Sequence, residues 1–112
     1  MNIDIKKVKI CVTVPSQNVE ELRAAVCNEG AGMIGNYSYC TVSTKCTGTF
    51  KPNDNANPYI GKKNVIEFVE EEKLETICDI HNAKRIVMKI REVHPYEEPA
   101  IDIIPLIGEE DL

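Results

Sequence analysis

Two stretches with helical periodicity each stand between stretches that alternate with period two, and that order is the strongest constraint on what this chain can fold into. In the first, Gln17 to Glu29, the apolar residues Val19, Leu22 and Val26 share one helical face while Glu20, Glu21 and Arg23 fall elsewhere. Ser16 is the expected N-cap, and Gly30 is placed to end the helix in a left-handed conformation. In the second, His81 to Val93, Ala83, Ile86, Val87 and Ile90 repeat at helical spacing, with Asp79 available as the cap.

The flanking segments read as strands. Ile3 to Val14 alternates with one break of phase at Lys6-Lys7, and Pro15 and Ser16 are expected to stop it. Tyr37 to Lys45 is rich in β-branched residues and more polar. Asn64 to Cys78 carries the acidic run Glu70-Glu71-Glu72, yet Ile66, Phe68 and Glu70, then Leu74, Thr76 and Cys78, fit period two, with a bulge expected near Glu71. Ala100 to Ile107 follows Pro99 and contains Pro105, which lacks an amide donor and so suggests an edge or a strand end. Cys46 to Lys63, dense in Gly, Pro, Asn and Asp, is the one long loop, and its length suggests a role. The order is βαββαβ, so the expected class is α+β: a single ferredoxin-like domain over residues 1–112, an antiparallel sheet with two helices on one face. The other face needs cover, and a second copy of the chain is its natural source, so a homo-oligomer is expected.

Composition narrows the partners. A chain of 112 residues with 43% apolar content suits one core, and a net charge of -5 disfavours nucleic acid, whose binding draws on clustered Lys and Arg. No apolar run approaches the roughly 20 residues needed to cross a bilayer, and the first residues lack the pattern of a secretory signal, so a cytoplasmic protein with no membrane partner is expected. The five cysteines, at 11, 27, 40, 46 and 78, form no CxxC pair and read as reduced, mostly structural thiols.

Two segments carry the distinctive residues. Gly30 to Cys40 contains three glycines in six residues, a backbone that could cradle a ligand through Gly32, Gly35, Asn36 and Tyr37. It follows a helix, however, and so meets the negative end of the helix dipole. His94 to Asp102 offers His94, Tyr96, Glu97 and Glu98 between Pro95 and Pro99, which restrict the backbone. Here His94, Tyr96 and Glu97 are candidate ligand-binding residues, and His94, Glu97 and Glu98, with Cys40 or Asp102, are candidate ligands for a divalent copper or zinc ion. The structural alternative has His94 and Tyr96 hydrogen-bonded across the connection. Both segments follow a helix and lead into a strand, so they are expected at corresponding corners, near one another or near a subunit boundary. The only catalytic constellation available is Cys40 or Cys46 as nucleophile with His94 as base, and no local nucleophile motif supports it. No catalytic residue is assigned.

These segments, together with Thr47-Gly48-Thr49-Phe50-Lys51-Pro52, Ala56-Asn57-Pro58-Tyr59-Ile60-Gly61 and Glu67-Phe68-Val69, carry a family resemblance that runs from the first strand to about Leu106. The chain resembles the domain inserted into the YqfO-type dinuclear-metal proteins, often labelled GTP cyclohydrolase I type 2-like, and stand-alone versions of that insert. The resemblance implies a fold like that of the CutA and PII proteins, commonly trimeric. It does not bring the dinuclear metal centre, which in the larger proteins is built by flanking halves from several His, Asp and Glu residues; this sequence holds only His81 and His94 as histidines. The expected function is therefore an oligomeric, non-catalytic binding or regulatory module for a small molecule or ion at subunit clefts, with divalent-metal binding of the CutA-like type as the alternative.

Overall fold

The computed structural model of the chain describes residues 3–112. Strand β1 covers Lys7–Pro15, helix α1 Val19–Asn28, β2 Thr41–Phe50, β3 Glu67–Asp79, helix α2 Ile80–Val93 and β4 Ile101–Leu106. The strands form one antiparallel sheet in the order β2-β3-β1-β4, the arrangement expected of a ferredoxin-like α+β fold. Both helices lie on one face. There, alternate residues of β1 (Val8, Ile10, Val12, Val14) and β3 (Leu74, Cys78) meet Leu22 and Val26 of α1 and Ala83, Ile86 and Ile90 of α2. Ile10, Leu22, Leu74, Ile86 and Ile90 are sealed almost completely, each contributing roughly 1.5–3 kcal/mol of apolar burial.

Several boundaries differ from the sequence reading, each for a local reason. β1 begins at Lys7, where the break of phase stood, leaving Ile3 to Lys6 outside the strand. Ser16 does not cap α1. It opens a short 3-10 turn, and the N-cap position falls to Asn18, which makes no side-chain capping bond. Asp79 does cap α2, its carboxylate accepting from the His81 amide at 3.0 Å, and Gly30 (φ 102°) follows the end of α1 in a left-handed conformation.

Strand β2 is displaced toward the C-terminus, covering Thr41–Phe50, so the first five residues assigned to the long loop belong to it. Arg23 of α1 helps hold this edge strand through bonds to Thr41 (2.6 Å) and Ser43 (3.1 Å). β3 has no bulge near Glu71. Its pairing runs in unbroken register, with Glu71 opposite Pro15 on one side and Cys46 on the other. Because β1 ends opposite Glu71, residues Glu67 to Glu70 pair only with β2, and the β2-β3 hairpin projects beyond the rest of the sheet. Pro105 sits in β4, an edge strand, as its missing donor requires. No helix among the described residues is long and apolar enough to cross a membrane.

The alternation of strand direction places the loops. β1 ends, α1 begins, the β2-β3 hairpin turns and α2 passes into β4 at one end of the sheet. The α1-to-β2 connection lies at the other end. Of the two alternatives expected for Gly30 to Cys40 and His94 to Asp102, near one another or near a subunit boundary, the first does not hold for Gly32 and His94. Gly32 bonds to Ile77, whose β1 neighbour is Lys9, whereas His94 bonds to Thr13, four residues and roughly 14 Å further along β1.

Candidate functional site

The glycine-rich segment is a folded turn. Its amides bond within the protein: Gly32 N to Ile77 O, Ile34 N to Tyr37 O, Tyr37 N to Ile34 O and Cys40 N to Gly32 O. Ile34 and Tyr37 bridge across the two-residue turn Gly35-Asn36, whose first position has φ 55°, a conformation that favours glycine. Gly32, at φ 77°, is buried so closely that an added Cβ would stand 2.9 Å from the Cys40 nitrogen. Of the cradle formed by Gly32, Gly35, Asn36 and Tyr37, the Gly32 and Tyr37 amides are already committed, and Tyr37 projects into solvent.

At the opposite end, the segment after α2 meets the long loop and the open face of the sheet. α2 ends at Val93 because Pro95 disfavours helical geometry in the residue before it, and His94 turns extended (φ -65°, ψ 135°). That turn drives the His94 ring into the protein, where it is 6% exposed. Tyr96 N donates to His94 Nδ1 at 3.1 Å, so the proton of the neutral ring sits on Nε2, which donates to Thr13 O at 2.8 Å. Burial pushes the imidazole pKa below its ordinary value, against the opposing influence of the Thr13 carbonyl and the Glu71 charge.

Both His94 nitrogens are committed, which leaves no free lone pair for a metal ion or for a catalytic base. Cys40, at the far end of the sheet, is out of reach. Cys46 lies beside Glu71 on the open face. Glu98 approaches Arg91 at 3.8 Å, and Glu97 Oε1 accepts from Asn57 N at 2.7 Å, tying this segment to the long loop. His94, Glu97 and Glu98 therefore do not converge, and among the described residues no three His, Cys, Asp or Glu side chains gather as a metal site.

What this end builds is a cleft of about 260 Å³. Its floor is Thr13 and Glu71; one wall is Tyr96, Glu97, Glu98 and Ala100, and the other runs from Thr49 and Phe50 through Lys51, Pro52, Ala56, Pro58, Tyr59 and Ile60. Three aromatic rings group here, with Tyr96 lying 5.8 Å from Phe50 and 6.4 Å from Tyr59 between centroids. The His94 ring backs Tyr96 at 5.0 Å.

Glu71, which nothing in the sequence marks as a site residue within its acidic run, is the centre of the site. The residue is 5% exposed, and Oε2 accepts from the Tyr96 hydroxyl at 2.8 Å. Gly48 makes the room: a Cβ there would fall 1.8 Å from Glu71 Oε1. That oxygen has no hydrogen-bond partner and is not sealed, since the one sealed side-chain polar atom without a partner among the described residues is Asn18 Oδ1. Burial, followed by the bond to Glu71 and its charge, pushes the Tyr96 phenol pKa far above its ordinary value. The hydroxyl stays a donor.

No family model matches the chain. It is 50% identical over 101 residues to a GTP cyclohydrolase 1 type 2 homolog of Halalkalibacterium halodurans, a match covering 90% of this chain and 27% of the relative. A second protein of that name, from Bacillus subtilis, is 44% identical over 98 residues, covering 88% of this chain and 26% of the relative. The chain is homologous to one part of the GTP cyclohydrolase 1 type 2 homologs. It spans about a quarter of the length of the curated GTP cyclohydrolase 1 type 2 homologs it matches.

The structures agree with that placement. The crystal structure of a Bacillus cereus protein related to NIF3 superposes with a TM-score of 0.81 at 37% identity, covering 96% of this chain and 27% of that one. The divalent ion tolerance protein CutA1 from Ehrlichia chaffeensis superposes with a TM-score of 0.68 at 16% identity, covering 96% of this chain and 89% of that one. That second likeness shows a shared fold.

Proposed function

We propose that this chain is a non-catalytic binding module that takes a small molecule in the cleft over Glu71 and works as a homo-oligomer, with a trimer favoured. The observation that carries the reading is the buried Glu71 carboxylate, which lines the cleft, accepts from Tyr96 on one oxygen and carries its other oxygen beside Gly48 without a protein donor. A buried carboxylate is costly unless compensated, and a fold that keeps one beneath three aromatic rings is maintaining polar recognition inside an apolar recess. Such a combination is characteristic of small-molecule sites. The pairing of Glu97 with the loop amide of Asn57 supports a cleft whose walls are tied together before a ligand arrives.

Self-association is supported by the sheet. Its open face is without helices, β2 and β4 are edge strands, and Val42, Ile104 and Phe68 on the sheet and its projecting hairpin are 60%, 45% and 71% exposed. A partner copy would cover apolar surface and satisfy unpaired strand edges at once.

A ligand-observed NMR screen of a mixed fragment library against the chain and its Ala100→Trp variant tests the binding reading. Ala100 lines the cleft and is exposed, so the indole fills the recess without entering the core. Fragments that bind the chain and are lost in the variant support the cleft. Fragments that bind both equally contradict it.

A further inference from the structure

We propose that the ligand of the Glu71 cleft is an organic amine, a protonated primary or secondary nitrogen on a small apolar body; this rests on the binding reading above and names its chemical class. Charge is the first ground. Of the residues that line the cleft, Glu71, Glu97 and Glu98 are acidic and Lys51 alone is basic, while His94 behind them is neutral in the tautomer its bonds impose. Glu98 has Arg91 nearby and Glu97 has the Asn57 amide, but among the described residues Glu71 has no Lys, Arg or His within ion-pair distance. The most deeply buried carboxylate of the site is met by a single neutral phenol.

Geometry is the second ground. Glu71 Oε1 lies over Gly48, without a donor, and an N–H is what that oxygen lacks. A quaternary ammonium could not supply it. Phe50, Tyr59 and Tyr96 provide ring faces, which attract a cation placed over them. An inorganic ion fits less well, because no three ligating side chains converge among the described residues. The remaining lining, Pro52, Pro58, Ile60 and Ala100, offers aliphatic contact suited to a carbon body. A recess of about 260 Å³ limits that body to something near the small end of ligand sites.

The test is an amide chemical-shift titration of the full chain at neutral pH with phenethylamine, phenethyl alcohol and hydrocinnamate, which differ chiefly in charge. Phenethylamine is expected to shift Asn57, Tyr96 and Glu97 saturably and to bind at least about tenfold more tightly than the alcohol, as a charge-assisted bond to Glu71 requires. Hydrocinnamate is expected to be weakest. Glu71→Gln should lower amine affinity about tenfold while moving the alcohol by less than about twofold, and Lys51→Ala should tighten the amine while weakening hydrocinnamate further. Equal or tighter cleft binding by the alcohol or the acid, or unchanged amine affinity in Glu71→Gln, overturns the amine assignment and leaves the cleft standing. Failure of the amine to shift any cleft amide at millimolar concentration also overturns the assignment. Saturable shifts confined to other surfaces overturn both the assignment and the cleft.

Discussion

The hydroxyl of Tyr96 donates a 2.8 Å hydrogen bond to Glu71 Oε2, joining the connection after α2 to the middle of β3 across 25 positions of sequence. With the His94 Nε2 bond to Thr13 O, also 2.8 Å, it ties the sheet to the segment that walls the cleft. Tyr96→Phe removes it and leaves a buried carboxylate with no donor, so the variant should lose about 2 kcal/mol of stability. Glu71→Gln, whose amide oxygen still accepts from the phenol, should lose less than about 1 kcal/mol. Urea unfolding of the two variants and their double measures this. Strong non-additivity is expected, because the two side chains share one bond.

Gly48 is the structural counterpart of that pair. Gly48→Ala places a methyl group against Glu71 Oε1, and the carboxylate can yield only by abandoning Tyr96 or its buried position. A loss of roughly 1–3 kcal/mol is expected. Glu71→Ala in the same chain should make the Gly48→Ala step much less costly, a rescue that urea midpoints would reveal.

The pH response follows from His94 and Tyr96, on opposite sides of neutrality. The His94 pKa is depressed in the folded chain, so between that value and the ordinary 6.5 the unfolded chain binds more protons. Stability is fully present above about pH 6.5 and falls as pH drops toward the folded pKa. The Tyr96 pKa is raised, so its contribution is intact below pH 10, the ordinary phenol value, and is lost as pH climbs above it. Unfolding midpoints across the acid range, compared with His94→Gln, should show the acid-side slope shrink in the variant. Absorbance titration should show one phenol ionising late, and Tyr96→Phe should remove that step.

The loop carries its own prediction. Glu97→Ala takes the acceptor from Asn57 N, which should speed hydrogen exchange at Asn57 by at least about tenfold, the loss of a bond worth roughly 1.5 kcal/mol or more to a charged group. Exchange at Ile10 and Ile86 in the core should be unchanged.

The sequence exposed the fold because its signals are local. Ala83, Ile86, Val87 and Ile90 repeat at helical spacing whatever surrounds them, and the alternation of Val8, Ile10, Val12 and Val14 needs only one buried face. The boundary of β2 was less legible, since Gly48 inside a threonine-rich run reads as a loop, and only the Glu71 side chain across from it explains the glycine. The sequence left His94 with two readings, a ligand or a hydrogen-bonded structural residue of the connection, and the local bonds agree with the second, since its two ring nitrogens are consumed by Thr13 and the Tyr96 amide.

The site itself depended on pairings invisible along the chain. Glu71 sits in the acidic run Glu70-Glu71-Glu72, where one buried carboxylate looks like its solvated neighbours. Its β-strand phase could have placed it on the face away from the helices, but nothing local foretold that Tyr96 would cover it. The two segments correspond only in position, each between a helix and a strand, and antiparallel alternation sends Gly32 and His94 to opposite ends of the sheet.

The most direct test of the account is an amide shift map of the chain saturated with whichever library fragment binds it most tightly. The account predicts perturbations concentrated at Phe50 to Ile60, Glu71 and Tyr96 to Ala100, with Gly30 to Cys40 unmoved. Perturbations centred on Gly32, Gly35, Asn36 and Tyr37, with the Glu71 cleft silent, would contradict it.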